Sequence, residues 1–242
     1  MKLEQPPAPA APPKAATHLE TAIYEFEKKC DTYHASQCAP VPTNEAQAER
    51  EKRLKEWNEA RAFLAQERHK INTLASIEAG LQKYREELNI LTSSERLEKM
   101  RKELHHPASK LAKHLVAAGE PKPSIDHVAH HIVPGKGRWR QKQLVDIRIQ
   151  LHMTGVRIND PKNGIWLSDP KNSKGHWATP DSPSHKSIHG TNYEVWLVAQ
   201  LGRIPAGRVF EAKLRALKSK MKDGTYPVKI EQPKDSQWDG RA

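Results

Sequence analysis

Between Asn44 and Leu104 apolar residues recur at steps of three, four and seven: Leu54, Trp57, Leu64, Ile71, Leu74, Ile77, Leu81, Tyr84, Leu88 and Leu91. That spacing lays one apolar stripe along a helix, while charged residues fill the other faces and no proline interrupts the run. It predicts one or two long helices, most simply a helical hairpin turning near Gly80 or near "TSSER", where Ser93 or Ser94 would cap a new helix. A coiled-coil seam fits less well because the repeat is imperfect. Upstream, "HLETAIYEFEKKCDTYHASQC" predicts a shorter amphipathic helix through Ile23, Tyr24, Phe26 and Tyr33, ended by "APVPTNEAQ". Gln5 to Ala16 is mostly Pro and Ala, the composition of an extended, semi-rigid linker.

The pattern changes near residue 105. Pro107 breaks the helical run, and a short helix is expected from Ser109 to Ala118. Val128 to Val133, rich in β-branched residues and closed by Pro134-Gly135, predicts a strand. Residues 141–153 suit a helix or extended connector, and "NGIWL" suits a second strand entered through the turn "NDPKNG". Ser182 and Pro183 then form a helix start, which places His185 and His189 four apart on one face. "TNYE" from Thr191 to Glu194 has the form of a second capping box, so this helix is expected to break at Gly190 and resume. Residues 206–224 read as a basic amphipathic helix that either extends a binding surface or presents a solvated face. The organisation expected is a linker over 1–17, a helical region over 18–104, a compact domain over 105–205 and a basic helix and tail over 206–242. The fold class is α+β, with long N-terminal helices ahead of a small two-stranded domain with flanking helices.

Charge separates the same two halves. Residues 1–104 hold 17 Lys+Arg and 17 Asp+Glu, whereas residues 105–242 hold 23 and 12, so the whole net charge of +11 lies in the second half. A basic excess of that size points to a polyanionic partner. Cys30 and Cys38 stand far from the histidines, and the sequence leaves open whether they pair. "MKLEQPPAPAAPPK" has no apolar h-region, and no segment approaches the length of a membrane span. A cytosolic product without a Sec signal or membrane insertion is expected, any export using another route.

The chemistry concentrates in "SIDHVAHHIVPGKGRW", where His127, His130 and His131 fall within five residues. Buried imidazoles need a partner for each ring nitrogen, so such a cluster at a strand end is either solvated or binds something. His185 and His189, four apart, can hold one ion between them. His105 and His106 form another pair, but Pro107 follows directly and no strand leads in, so they read as exposed histidines at a helix end.

Together "AHHIVP", "NDPKNGIWL" and "HKSIHGTNYEVW" make a hairpin with histidines at the end of its first strand, an Asn in the turn to its second, and a histidine pair near a helix. This arrangement resembles the ββα-metal sites of the HNH/endonuclease VII superfamily. Within it, the chain resembles the AHH family of bacterial toxin nucleases, named for the tripeptide that stands here as Ala129-His130-His131. The resemblance spans roughly residues 108–200. It implies that His130, His185 and His189 hold a divalent metal and that His131 is the general base. It also implies that Asn163 fixes the loop or orients the base, and that Tyr193 supports the site. His127 and His176 flank the motifs and are carried as further supporting candidates.

Three histidines favour Zn²⁺ by ligand type, with Mg²⁺ or Mn²⁺ as alternatives for activity. Arg138, Arg140, Arg157, Lys162, Lys174 and Lys186 are expected to contact backbone phosphates, which gives affinity without base readout. The tryptophans among them read more readily as core than as stacking platforms. DNA is the expected substrate, with RNA as the alternative. The resemblance further implies a toxin, delivered by a route such as type VI secretion and neutralised by a cognate immunity protein, with residues 1–104 serving an adaptor or chaperone. Two other readings stay open: a phage or mobile-element HNH enzyme, and a non-catalytic nucleic-acid binder built on a structural zinc.

Overall fold

The computed structural model describes residues 16–42, 44–169 and 175–241. The Pro/Ala segment through Ala15, together with Lys174, lies outside the described residues. The chain divides into two compact units, Met1–Gly80 and Leu81–Ala242.

In the first unit, α1 (His18–Cys38) starts at a capping box in which the Thr17 hydroxyl accepts from the Glu20 N–H and Glu20 accepts from the Thr17 N–H. It pairs with α2 (Gln47–Glu86), which continues past Gly80 into the second unit. Lys29 bonds Glu67 at 2.6 Å, Arg61 donates to the Tyr33 hydroxyl, and Arg68 lies over Phe26, so the helices run antiparallel. The hairpin therefore turns in the Pro-rich segment after Cys38 rather than at Gly80, which sits inside unbroken helix. Among the described residues of this unit no side chain is fully buried. Cys30 and Cys38 are free. Eight residues apart on one helix, they are separated by about 12 Å, too far for a disulfide.

The second unit opens with the end of α2. Residues 87–92 turn the chain, and α3 (Ser93–Lys102) begins at Thr92, whose hydroxyl accepts from Glu95 N–H. The turn near "TSSER" is present, with Thr92 as its cap in place of Ser93 or Ser94. Residues 81–104, expected with the N-terminal region, belong to this unit. Then follow α4 (Ser109–Ala117), β1 (His127–His131), α5 (Gln141–Met153), β2 (Gly164–Ser168), α6 (Thr191–Leu201) and α7 (Arg208–Lys222). The α+β expectation is met by a mostly helical chain holding one two-stranded sheet.

The strands pair antiparallel in the register His127 to Ser168, Ala129 to Trp166, His130 to Ile165 and His131 to Gly164. Both faces of this hairpin are covered. On one, Leu111 and Leu115 of α4 pack against Ala129 and Trp166. Leu111 approaches Gly164 so closely that a side chain there would collide with it. On the other, Ile165 and Leu167 join Leu144 and Ile147 of α5, Trp196 of α6 and Phe210 of α7. Each such fully buried side chain contributes roughly 1.5–3 kcal/mol. The basic helix α7 is thus amphipathic in fact, burying Phe210, Leu214, Leu217 and Met221.

The expected helix start at Ser182 is not formed. His185–Ile188 makes a turn whose His185 N–H donates to the Ser168 carbonyl at 2.7 Å, tying it to the end of β2. Gly190 is extended, and α6 begins after it at Thr191. His185 and His189 therefore lie in the approach to the helix rather than on its face.

Candidate active site

Successive side chains of a strand point to opposite faces, so neighbours His130 and His131 diverge. His130 faces α6 and His131 faces the α4 side. Both still line one cleft of about 430 Å³ at the end of β1, with His185, His189, Tyr193, Lys136, Arg138 and Trp139 around it. The two rings thus share the cleft without converging on one point.

On the α6 side, His130, His185 and His189 each offer a ligand atom, and these atoms lie within 4.8 Å of one another. The Nε2 atoms of His185 and His189 are 2.9 Å apart. His185 Nδ1 lies 3.3 Å from Asp169 Oδ1, and a proton held there leaves Nε2 free as a ligand atom. The Tyr193 hydroxyl donates to the Ile132 carbonyl at 2.8 Å and meets His130 Nε2 at 3.3 Å, which fixes the His130 ring. Burial, reinforced by the neighbouring rings, holds His130 well below the usual imidazole range, and burial likewise lowers His185 and His189. Three neutral imidazoles converging on one point suit a divalent cation: they give lone pairs without neutralising its charge.

On the other side, His131 Nε2 lies 2.9 Å from Asn159 Oδ1. Asn159 Nδ2 donates to Glu103 Oε1 at 2.8 Å and to the Leu104 carbonyl at 3.0 Å, so its oxygen must face the histidine. That assigns the His131 proton to Nε2 and leaves Nδ1 as the accepting nitrogen. Burial pushes the His131 imidazole down to about 4, so it is neutral at ordinary pH.

Asn163 does not touch His131. Its Oδ1 accepts from Val133 N–H at 2.8 Å, and its Nδ2 donates to the carbonyls of Val133 and Ile158, so it pins the loop after β1. Of the two functions the resemblance allowed, the geometry gives Asn163 the loop, while it is Asn159 that meets His131. Asn159 stands in the same "NDPKNG" turn, four residues earlier, and nothing in its spacing distinguished it.

Glu194 was also missed. Its carboxylate accepts from the N–H groups of Arg138, Trp139 and Arg140 at 2.6–2.8 Å, which anchors the basic loop and the start of α5. It is therefore not the closing member of a capping box with Thr191. His105 and His106, read as exposed helix-end residues, line the cleft: His105 sits against Gly135 and 5.8 Å from the His131 ring.

Other expected residues lie elsewhere. His127 is buried at the far end of β1 between Ser124 and Thr179, with His176 beside it at 4.7 Å, so the pair holds loops together away from the His130 cluster. Arg157 is buried against Glu87, Glu103 and the Tyr84 carbonyl, leaving no face for a phosphate. Lys162 pairs with Glu211 beside a separate small hollow. Lys186 is exposed next to His185 and pairs with Asp169. Arg138 and Arg140 are exposed at the cleft-side loop. Trp139 and Trp177 are exposed as well, against the expectation of core tryptophans.

A two-stranded hairpin whose end carries an imidazole pair, followed by a helix with more imidazoles ahead of it, defines the class of ββα nucleases. Residues 111–222 match the family AHH, "a nuclease family of the HNH/ENDO VII superfamily with conserved AHH". The match covers a little under half of the chain, and a nuclease family implies phosphodiester hydrolysis on a nucleic-acid substrate. No curated protein and no solved structure matches the chain. Among the described residues no helix is long and apolar enough to cross a membrane.

Proposed function

We propose that the chain is a metal-dependent endonuclease that hydrolyses DNA with little sequence preference. The observation that carries this reading is the division of the cleft: a cluster of three neutral imidazoles on one side and a single oriented imidazole, His131, on the other. When bound by His130, His185 and His189, a divalent ion supplies positive charge for the phosphate and the leaving oxygen. His131 takes a proton from the attacking water at Nδ1, while Asn159 holds Nε2–H and so fixes the ring's direction. Asn163 keeps the loop after β1 in place, and Tyr193 holds the His130 ring. Lys136, Arg138 and Arg140 offer charge to the sugar–phosphate backbone without reading base edges, which supports weak sequence preference. Exposed Trp139 offers a stacking face.

An antibacterial toxin role, with a cognate immunity protein and delivery through a secretion system, is proposed on the resemblance to toxin nucleases and on the helical region ahead of the family segment. A closed structural zinc is less well supported, since three imidazoles opening onto a cleft leave positions free for a substrate.

The test is incubation with supercoiled plasmid and, separately, total RNA, in EDTA or with Mg²⁺, Mn²⁺ or Zn²⁺, beside His131→Ala. Metal-dependent DNA cutting that is lost in the variant supports the proposal. Cutting of RNA alone replaces the substrate, and a gel shift without cleavage under every metal overturns the nuclease reading.

A further inference from the structure

Glu103 lies ahead of the family segment, in the link between α3 and α4, yet it reaches the site. Its Oε1 accepts from Asn159 Nδ2 at 2.8 Å and from the Tyr84 hydroxyl at 2.7 Å. Its Oε2 accepts from Arg157 Nε at 2.8 Å, and Arg157 is fixed in turn by Glu87 and the Tyr84 carbonyl. Asn159 is held at every polar atom: its N–H donates to the Tyr84 hydroxyl, its carbonyl meets His114 Nδ1 at 2.7 Å, and its Oδ1 faces His131. An amide side chain can rotate its oxygen and nitrogen with little change in packing, so what decides which end faces His131 is the acceptor set at the other end.

We propose that Glu103 is a positioning residue for the base, acting through Asn159 to hold His131 as the Nε2–H tautomer. With Glu103 in place, two acceptors draw the Asn159 amide nitrogen away from His131. Without it, Leu104 O is the remaining acceptor, the amide is free to flip, and an NH₂ facing His131 would put the lone pair on Nε2 and the proton on Nδ1. The imidazole would then present a donor to the water from which it must accept. The consequence reaches beyond one residue: the lead-in at Tyr84–Leu104, through Tyr84 and Glu103, helps hold Asn159 against His131 and is not merely a tether. The inference rests on the nuclease reading for its catalytic meaning but not for its structural content.

The experiment uses the full chain with Glu103→Ala, Glu103→Gln, Asn159→Ala and, as a control, Glu87→Gln, which removes another Arg157 partner without touching Asn159. Long-range ¹H–¹⁵N correlation spectra of histidine-labelled protein report the His131 tautomer, steady-state cleavage of an oligonucleotide gives kcat and KM, and calorimetry gives Zn²⁺ affinity. Nε2–H is expected in the wild type and in Glu87→Gln. A tautomer mixture and a kcat lower by about 10–100-fold are expected in Glu103→Ala and Asn159→Ala, with KM and Zn²⁺ affinity unchanged. Glu103→Gln, which keeps an acceptor oxygen, is expected to recover much of the loss.

If Glu103→Ala does not fold, Asn159→Ala reads the same link from its other end, leaving the Glu103–Arg157 pair in place. Unchanged Nε2–H and unchanged kcat in a folded Glu103→Ala or in Asn159→Ala overturn the proposal, and a fall in Tm alone would mark a structural role. The spectra need no turnover. A tautomer change in the variants, beside a wild-type chain that cuts nothing, would therefore overturn the nuclease reading while supporting the Glu103 assignment.

Discussion

His185 Nε2 and His189 Nε2 stand 2.9 Å apart, two imidazole nitrogens facing one another with His130 closing the group. At that distance one neutral ring can donate its N–H to the other, and with both protons on Nδ1 instead the two Nε2 lone pairs would converge on a cation seated between them. Zn²⁺ at about 100 times its Kd is therefore expected to stabilise the protein by roughly 2.7 kcal/mol. Differential scanning calorimetry with and without EDTA checks this. A His185→Ala/His189→Ala chain whose Tm still rises with Zn²⁺ would count against the site.

His131→Ala is expected to lower kcat by about 10²–10⁴-fold, the usual contribution of a positioned base. Zn²⁺ affinity should stay close to that of the wild type, because His131 points away from the metal cluster. Single-turnover cleavage beside calorimetric metal titration separates the two effects.

Asn163→Ala leaves the buried Val133 N–H and two carbonyls without their side-chain partner. Leaving a buried polar group unsatisfied costs about 1–3 kcal/mol, so the urea midpoint should fall accordingly. Asn159→Ala is expected to fall chiefly in kcat, and the contrast separates the loop pin from the base holder.

Acid should destabilise the protein, and the sign follows from the histidines. Burial pushes His152 from its ordinary value of 6.5 down to about 4, helped by Arg148, and burial also lowers His114 and His127. The unfolded chain takes up protons at these positions first, so the stability they protect is fully present above pH 6.5 and is lost progressively as pH falls toward their folded values. Tm measured from pH 8 to pH 4.5 should decline through that window, and His152→Leu should make the decline shallower. A flat profile would contradict the neutral, buried state of these rings.

Trp139, half exposed at the cleft, is expected to stack on an unpaired base. Trp139→Ala should weaken single-stranded oligonucleotide binding by about 1–3 kcal/mol and leave kcat near its original value. Fluorescence anisotropy with labelled oligonucleotides measures the loss.

Much of the frame was legible because periodicity and punctuation are local. The apolar stripe of α2, the β-branched run before Pro134-Gly135 and the turn "NDPKNG" each follow from side chains within a few residues of one another. The candidate metal residues were legible for another reason: imidazoles are costly to bury, so five of them in two short blocks stood out. Other features had no such signal. Glu103, Asn159 and Glu194 are ordinary polar residues whose meaning comes from partners 28–56 residues away.

The same distinction runs through the whole chain. The sequence alone determined the helical lead-in, the two strands, the histidine inventory and the basic bias of the second half, since these depend on residue type and spacing. Tertiary structure decided that His130 and His131 serve opposite sides of the cleft and that Arg157 is buried. It also decided that His185 and His189 sit beside a turn anchored to β2, and that Asn159 rather than Asn163 meets His131. Those outcomes are set by which backbone groups and carboxylates remain to be satisfied once the hairpin is packed on both faces, and the demand to pair every buried polar atom is met across the fold rather than along the chain.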